Sequence, residues 1–291
     1  MKFSATLLTA VVGGVYSTTN AADSARGDSL NVLVFGDSQG DVGPTYQELQ
    51  DVLDNNGVAA TVKNAAVGGT LACGWYNDDN DAITTAANQL FPAGSPDLIW
   101  YTAGGNDMAQ DVRMHACFDT ASSIEDAMTC VDGGVGRMIG CTTGLFENLW
   151  AAYPDAKIGQ YNYMATNMDE SCQEENCLES TAQFLGGNFC LSTYSEGSPS
   201  ECMLRLLQYW QTVYVDAIQK QYPSPQFTGM NVQGAVQEAS GVPGASMGHL
   251  NVTGAGAKCD WMTSCVHPIY GTPAADAIGQ GFYDLWISQV L

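Results

Sequence analysis

The sequence predicts an α/β fold: a mostly parallel five-stranded sheet covered by helices on both faces. Two observations predict it. Short apolar runs rich in β-formers alternate with segments whose apolar residues recur at helical spacing, and parallel strands need such crossovers. No internal repeat or linker-like stretch divides the 291 residues, which suffice for one large domain with a substantial core.

Asn31 to Phe35 reads as a buried strand ended by Gly36. Thr45 to Asn56 follows as a helix with Tyr46, Leu49, Val52 and Leu53 on one stripe and Gly57 beyond its end. Ala59 to Asn64 is a second strand and Asp81 to Leu90 a helix. Leu98 to Thr102, after Pro96-Asp97, is a third strand. Ile124 to Ala152 reads as helical but broken at Gly133, Gly134 and Gly136. Lys157 to Tyr161 is a fourth strand, Cys202 to Gln221 a long helix, Phe227 to Val232 a fifth strand, and Ala274 to Val290 a closing helix. The irregular stretch around residues 164–200, with Cys172, Cys177 and Cys190, reads as a disulfide-stapled insertion into the single domain spanning residues 23–291.

Residues 1–22 carry the signal-peptide pattern: Lys2, an apolar stretch from Phe3 to Tyr16, and small residues around Ala21-Ala22. Ten cysteines, an even number, agree with export and up to five disulfides, with Cys259–Cys265 as a local pair. The expectation is a secreted, extracellular protein, monomeric and without a membrane span. Asn251-Val252-Thr253 is its glycosylation sequon in a eukaryotic host. Nine Lys and Arg against 31 Asp and Glu give a net charge of −22 with no basic cluster, which argues against a nucleic-acid partner and disfavours polyanionic substrates. Three histidines and no Cys-x-x-Cys pair argue against a zinc site, so no metal and no other cofactor is implied.

In a parallel sheet, reactive residues belong at the carboxyl ends of strands. Three strand ends here carry unusual sequences: Gly36-Asp37-Ser38-Gln39-Gly40-Asp41-Val42-Gly43, Asn64-Ala65-Ala66-Val67-Gly68-Gly69, and Gly104-Gly105-Asn106-Asp107. A fourth segment, Ser264-Cys265-Val266-His267-Pro268, precedes the last helix. Together they can supply acyl-transfer chemistry. Ser38 is a nucleophile at a strand-to-helix turn and His267 the base that activates it. The Ser38 N–H, the Gly69 N–H and the Asn106 amide are oxyanion donors. Asp37 also has the simpler role of bracing its turn.

These four blocks, in this order, resemble those of the SGNH hydrolases of the GDSL esterase/lipase superfamily, with the likeness running from residue 31 to about residue 290. The resemblance implies a flavodoxin-like three-layer α/β/α fold. It implies a serine carboxylic-ester hydrolase that acts on a small-molecule, glycan or lipid ester, with Ser38, His267, Gly69 and Asn106 in the roles above. One position departs. The family's acid, three residues before the histidine, is Ser264 here. Asp260, the Ser264 hydroxyl or a backbone carbonyl remain to orient the ring; a carbonyl gives a Ser-His dyad, and Asp260 stays open beside it. The departure also admits a non-catalytic carbohydrate- or lipid-binding protein on a decayed scaffold.

Other motifs have plainer readings. Gly244-Ala245-Ser246-Met247-Gly248 matches the nucleophile elbow of α/β-hydrolases but lacks the strand before it and the helix after it. His249 and His115 read as loop histidines, and Asn77-Asp78-Asp79-Asn80-Asp81 as a solvated loop rather than a calcium site. Trp75, Tyr76 and Trp261 either line a pocket or simply pack.

Overall fold

The computed structural model describes residues 29–41, 45–77, 80–110, 116–117, 120–161, 189–254, 258–263 and 267–291. The expected leader (1–22) and residues 164–188 of the expected insertion lie outside these residues, as do Gly43, His115, Ser264 and Cys265.

Five parallel strands form the central sheet: β1 Leu30–Phe35, β2 Ala60–Asn64, β3 Leu98–Tyr101, β4 Lys157–Tyr161 and β5 Phe227–Met230. Their spatial order is β2-β1-β3-β4-β5, which is the flavodoxin-like order. The helices, in chain order, are α1 Ser38–Asp41, α2 Thr45–Asn55, α3 Ala72–Asn77, α4 Asn80–Leu90, α5 Gly105–Gln110, α6 Ile124–Ala152, α7 Pro199–Trp210, α8 Asp216–Gln219, α9 Ala235–Ala239, α10 Pro273–Phe282 and α11 Ser288–Val290. Wide π-turns at Gln211–Val215 and Tyr283–Ile287 join α7 to α8 and α10 to α11. A separate antiparallel ribbon pairs β6 Met262–Thr263 with β7 His267–Pro268.

Period-two alternation sends each strand's side chains to both faces. Leu33, Phe35, Ile99, Tyr101, Ile158 and Phe227 enter one core with α6 and α7. Val32, Val34, Val62, Leu98, Trp100 and Met230 enter the other with α2 and α10. Both cores are rich in aromatic contacts. Trp100 packs on Phe282 with ring centroids 4.5 Å apart, and Tyr101 meets Phe146 edge-on at 5.2 Å.

Helix α6 corrects the sequence reading, because it runs unbroken through its glycines. Gly133 and Gly136 point into open space, so each weakens the helix by only about 1 kcal/mol. Against that stand a stripe of buried side chains, including Val131, Val135, Met138, Leu145 and Phe146, and an N-cap at Ser123. The disulfides Cys117–Cys130 and Cys73–Cys141 also hold the helix. A third disulfide, Cys190–Cys202, joins the wide turn Phe189–Thr193 to α7. The pair expected at Cys259–Cys265 falls outside the described residues.

Strand order reverses between β1 and β3, which opens a crevice above their carboxyl ends. The loops after β1, β2 and β3 are those that carry Ser38, Gly69 and Asn106.

Candidate active site

The turn after β1 begins at Gly36, whose φ of +132° suits glycine. A Cβ there would lie 2.4 Å from the Thr102 hydroxyl oxygen and 2.8 Å from the Thr102 nitrogen, so the β1 and β3 ends can approach this closely only without one. The Thr102 hydroxyl accepts the Asp37 N–H at 3.0 Å, and the Asp37 carboxylate accepts the Gln39 N–H at 3.1 Å. Asp37, fully buried, therefore braces the turn. Ser38 opens α1 and is half-buried. Next to it, Gln39 is buried and its side-chain amide oxygen Oε1 accepts the Tyr161 hydroxyl at 3.1 Å.

The second loop is tied to the first. The Asn64 amide donates to the Gly40 carbonyl at 2.7 Å, and the Gly68 N–H donates to the Asp41 carboxylate at 2.8 Å. Gly69 has a φ of +81° and nothing within 4 Å of where a Cβ would stand, so its backbone faces open space. The next residue, Thr70, donates its hydroxyl to the Gly36 carbonyl at 2.7 Å. Its own carbonyl accepts the Asn106 amide at 3.1 Å. That bond uses one of the two hydrogens on Asn106 Nδ2 and fixes the direction of the other. Asn106 is buried, and Asp107 beside it accepts the Ala72 N–H at 2.8 Å, which anchors the start of α3. The structure thus brings the Ser38, Gly69 and Asn106 loops into one hydrogen-bonded network.

His267 stands outside that network. It lies in β7, buried at 8% exposure, and neither ring nitrogen has a hydrogen-bond partner among the described residues. Burial pushes its pKa below the ordinary value, because the charged imidazolium is the form most disfavoured out of water. Among the described residues, neither Ser38 nor a backbone carbonyl bonds to the ring. Asp260 is exposed in the short turn Cys259–Trp261 and makes no hydrogen bond to the ring either.

The elbow-like motif has the wrong setting. Ser246 and His249 are exposed and exchange backbone hydrogen bonds of 3.0 and 2.8 Å across a tight turn. Of the three aromatics, Trp75 packs. It is 6% exposed, meets Phe35 edge-on at 6.0 Å, and donates its indole N–H to the Thr70 hydroxyl at 2.9 Å. Tyr76 lies against Gly144 of α6, and Trp261 carries the Lys258 ammonium 4.6 Å above its ring. The sequon residue Asn251 donates its side-chain amide to the Pro243 carbonyl at 2.8 Å. The hydrogen bonds of Thr70 within this network were not foreseen in the sequence, since a threonine hydroxyl leaves no periodic trace, and Trp75, expected either to line a pocket or to pack, is buried against it.

Among the described residues no helix is long and apolar enough to cross a membrane, and no group of three or more His, Cys, Asp or Glu is arranged to hold a metal ion.

No protein-family model and no curated protein matches the sequence. Among solved structures, the chain is similar to the lipase Lip_vut3 from a goat rumen metagenome, with 11% identity over 89% of this chain and 99% of that one, at a TM-score of 0.51. It is also similar to phospholipase A1 from Streptomyces albidoflavus, with 15% identity over 90% of this chain and 100% of that one, at a TM-score of 0.50. Likeness at such identity shows the fold alone, the three-layer α/β arrangement with a parallel five-stranded sheet that the sequence predicts.

Proposed function

We propose that the chain is a secreted carboxylic-ester hydrolase working through a serine acyl-enzyme. The observation that carries this reading is the hydrogen-bonded union of the Ser38, Gly69 and Asn106 loops at the carboxyl ends of β1, β2 and β3. Ser38 Oγ attacks the ester carbonyl carbon while His267 takes the hydroxyl proton. The carbonyl oxygen becomes an oxyanion that accepts from the Ser38 N–H, the Gly69 N–H and the free hydrogen of Asn106 Nδ2. His267 returns the proton to the departing alcohol, and a water activated by the same ring then releases the acid. The reaction requires an imidazole nitrogen within about 3 Å of Ser38 Oγ, a contact that commonly tightens only with substrate bound.

The His267 ring, without a hydrogen-bond partner among the described residues, favours a second reading, a non-catalytic carbohydrate- or lipid-binding protein on the same scaffold. Turnover of a panel of p-nitrophenyl esters by the purified chain separates the two. The esterase reading expects hydrolysis that is lost in Ser38→Ala. A panel left untouched by the folded wild-type chain refutes it.

A further inference from the structure

We infer that Thr70 and Trp75 are positioning residues of the oxyanion hole, a role that deepens, and rests on, the esterase reading above. Thr70 meets all three strand-end loops. Its hydroxyl reaches back to the Gly36 carbonyl at 2.7 Å, two residues before Ser38. Its backbone adjoins Gly69. Its carbonyl holds the Asn106 amide at 3.1 Å. A displaced Thr70 therefore moves the Gly69 N–H and the Asn106 amide together, against a nucleophile whose turn it also braces.

Trp75 sets the direction of that hydroxyl. A hydroxyl has one hydrogen and an indole N–H can only donate. With the Trp75 N–H at 2.9 Å, the Thr70 oxygen accepts there, and its hydrogen is left for the Gly36 carbonyl, with the Val67 carbonyl at 2.9 Å as its other acceptor. The indole N–H itself also reaches the Gly36 carbonyl at 3.2 Å. Trp75 is in turn held fast. Its helix starts on the Asp107 carboxylate, its ring abuts Phe35, and its neighbour Cys73 is bonded to Cys141 of α6. Rigidity thus passes from α6 through α3 to the loop that presents the oxyanion donors.

Oxyanion donors act on charge that develops in the transition state, so their misplacement lowers turnover and leaves substrate affinity nearly alone. A shift of about 1 Å can reduce rate roughly 100-fold. The test compares Thr70→Val, Thr70→Ser and Trp75→Phe with the wild-type chain on p-nitrophenyl acetate, with folding checked by circular dichroism and thermal midpoint. Thr70→Val should lower kcat roughly 10- to 100-fold with KM within about threefold. Trp75→Phe, which keeps the ring contact with Phe35, should lose roughly tenfold in kcat. Thr70→Ser, which keeps the hydroxyl, should stay within about threefold of wild type. The rate of fluorophosphonate labelling at Ser38 should follow kcat across the series.

An active wild-type chain whose folded Thr70→Val and Trp75→Phe variants keep their kcat overturns the positioning role alone. So does a loss in Thr70→Ser as large as that in Thr70→Val, or a change confined to KM. If Thr70→Val does not fold, Trp75→Phe with Thr70→Ser decides, because a Trp75→Phe variant with wild-type kcat is enough to refute the clamp. A wild-type chain inert to esters and to the fluorophosphonate overturns the hydrolase reading and this one with it.

Discussion

The two halves of the candidate site differ in what holds them. The nucleophile and oxyanion loops leave adjacent parallel strands and are cross-tied by short hydrogen bonds from Asn64, Gly68, Thr70 and Asn106. The histidine belongs to a ribbon of two-residue strands, and its ring has no hydrogen-bond partner among the described residues. This second half packs against α10 and is tied to α2 by hydrogen bonds. The Tyr270 hydroxyl donates to the Asp51 carboxylate, and the Gly271 N–H reaches Glu48 at 3.4 Å, a long and weak bond. A two-stranded ribbon is marginal by itself, so its position depends on the surface it lies on. The contrast teaches that preorganisation is uneven. The proposed oxyanion donors are cross-tied to loops of the central sheet, and the proposed base is carried on a separate ribbon with no hydrogen bond to its ring among the described residues.

Two substitutions probe the rigid half. Ser38→Ala should reduce ester hydrolysis by several orders of magnitude without loss of fold, the usual result of removing a nucleophile. A fluorophosphonate adduct should map to Ser38 and not to Ser246; an adduct on Ser246 would place the chemistry in a turn that has no sheet behind it. Asn106→Ala should lower kcat by roughly 100- to 1,000-fold with little change in KM. A rise in KM at constant kcat would make Asn106 a ground-state contact and remove the electrostatic role of the cross-tied loops.

The same asymmetry governs what the sequence could reveal. Strands β1 and β3 were readable because burial on both faces leaves continuous apolar runs, and the strand-end blocks follow from where such strands stop. The course of α6 through Gly133, Gly134 and Gly136 was not readable. Tertiary burial of Val131, Val135 and Met138 overrides a weak local preference, and no local pattern reports it. At the site, Ser38, Gly69 and Asn106 were legible as residue types at strand ends. The Thr70 hydrogen bonds were not, because they join residues more than thirty positions apart. The break in legibility in the histidine block, Ser264 where an acid is expected, coincides with the half that the structure holds least firmly.

The histidine half gives a smaller effect with a definite sign. Burial lowers the His267 pKa, so the neutral base persists to lower pH than usual. The midpoint of the acid limb of kcat/KM should therefore lie below 6.5. Asp260→Asn should cost less than about tenfold and leave this limb in place, since its carboxylate is exposed and unbonded to the ring, whereas neutralising a true triad acid costs about 10⁴-fold. A limb above 6.5 that moves down in Asp260→Asn would show that the carboxylate closes on the histidine during turnover, and the contrast between the halves would then hold only for the unliganded protein.

The last and smallest effect concerns the docking surface and is read in stability. Glu48 of α2 is 5% exposed, and burial, followed by its hydrogen bond and proximity to Asp276 of α10, raises its pKa to about 7, with Asp51 adding to the rise and the Gly271 N–H opposing it. Lys63 of β2 gives no relief, because it pairs in register with Leu33 and so points to the other face of the sheet. The raised pKa means that the folded chain binds more protons than the unfolded one between about 4.5 and 7. The stabilisation is present in full below 4.5 and is lost as pH rises through 7. Glu48→Gln, uncharged at every pH, should therefore raise the thermal midpoint at pH 8 by about 2–4 °C, roughly the shift that 1 kcal/mol produces in a domain of this size. The difference should vanish near pH 4. Thr70, Trp75 and Asn106 do not titrate in this range, so the clamp they form should be indifferent to the same change. If wild type is the more stable at pH 8, the Glu48 carboxylate is a favourable anchor for the Gly271 N–H rather than a repelled neighbour of Asp276, and the histidine half is docked more firmly than this comparison allows.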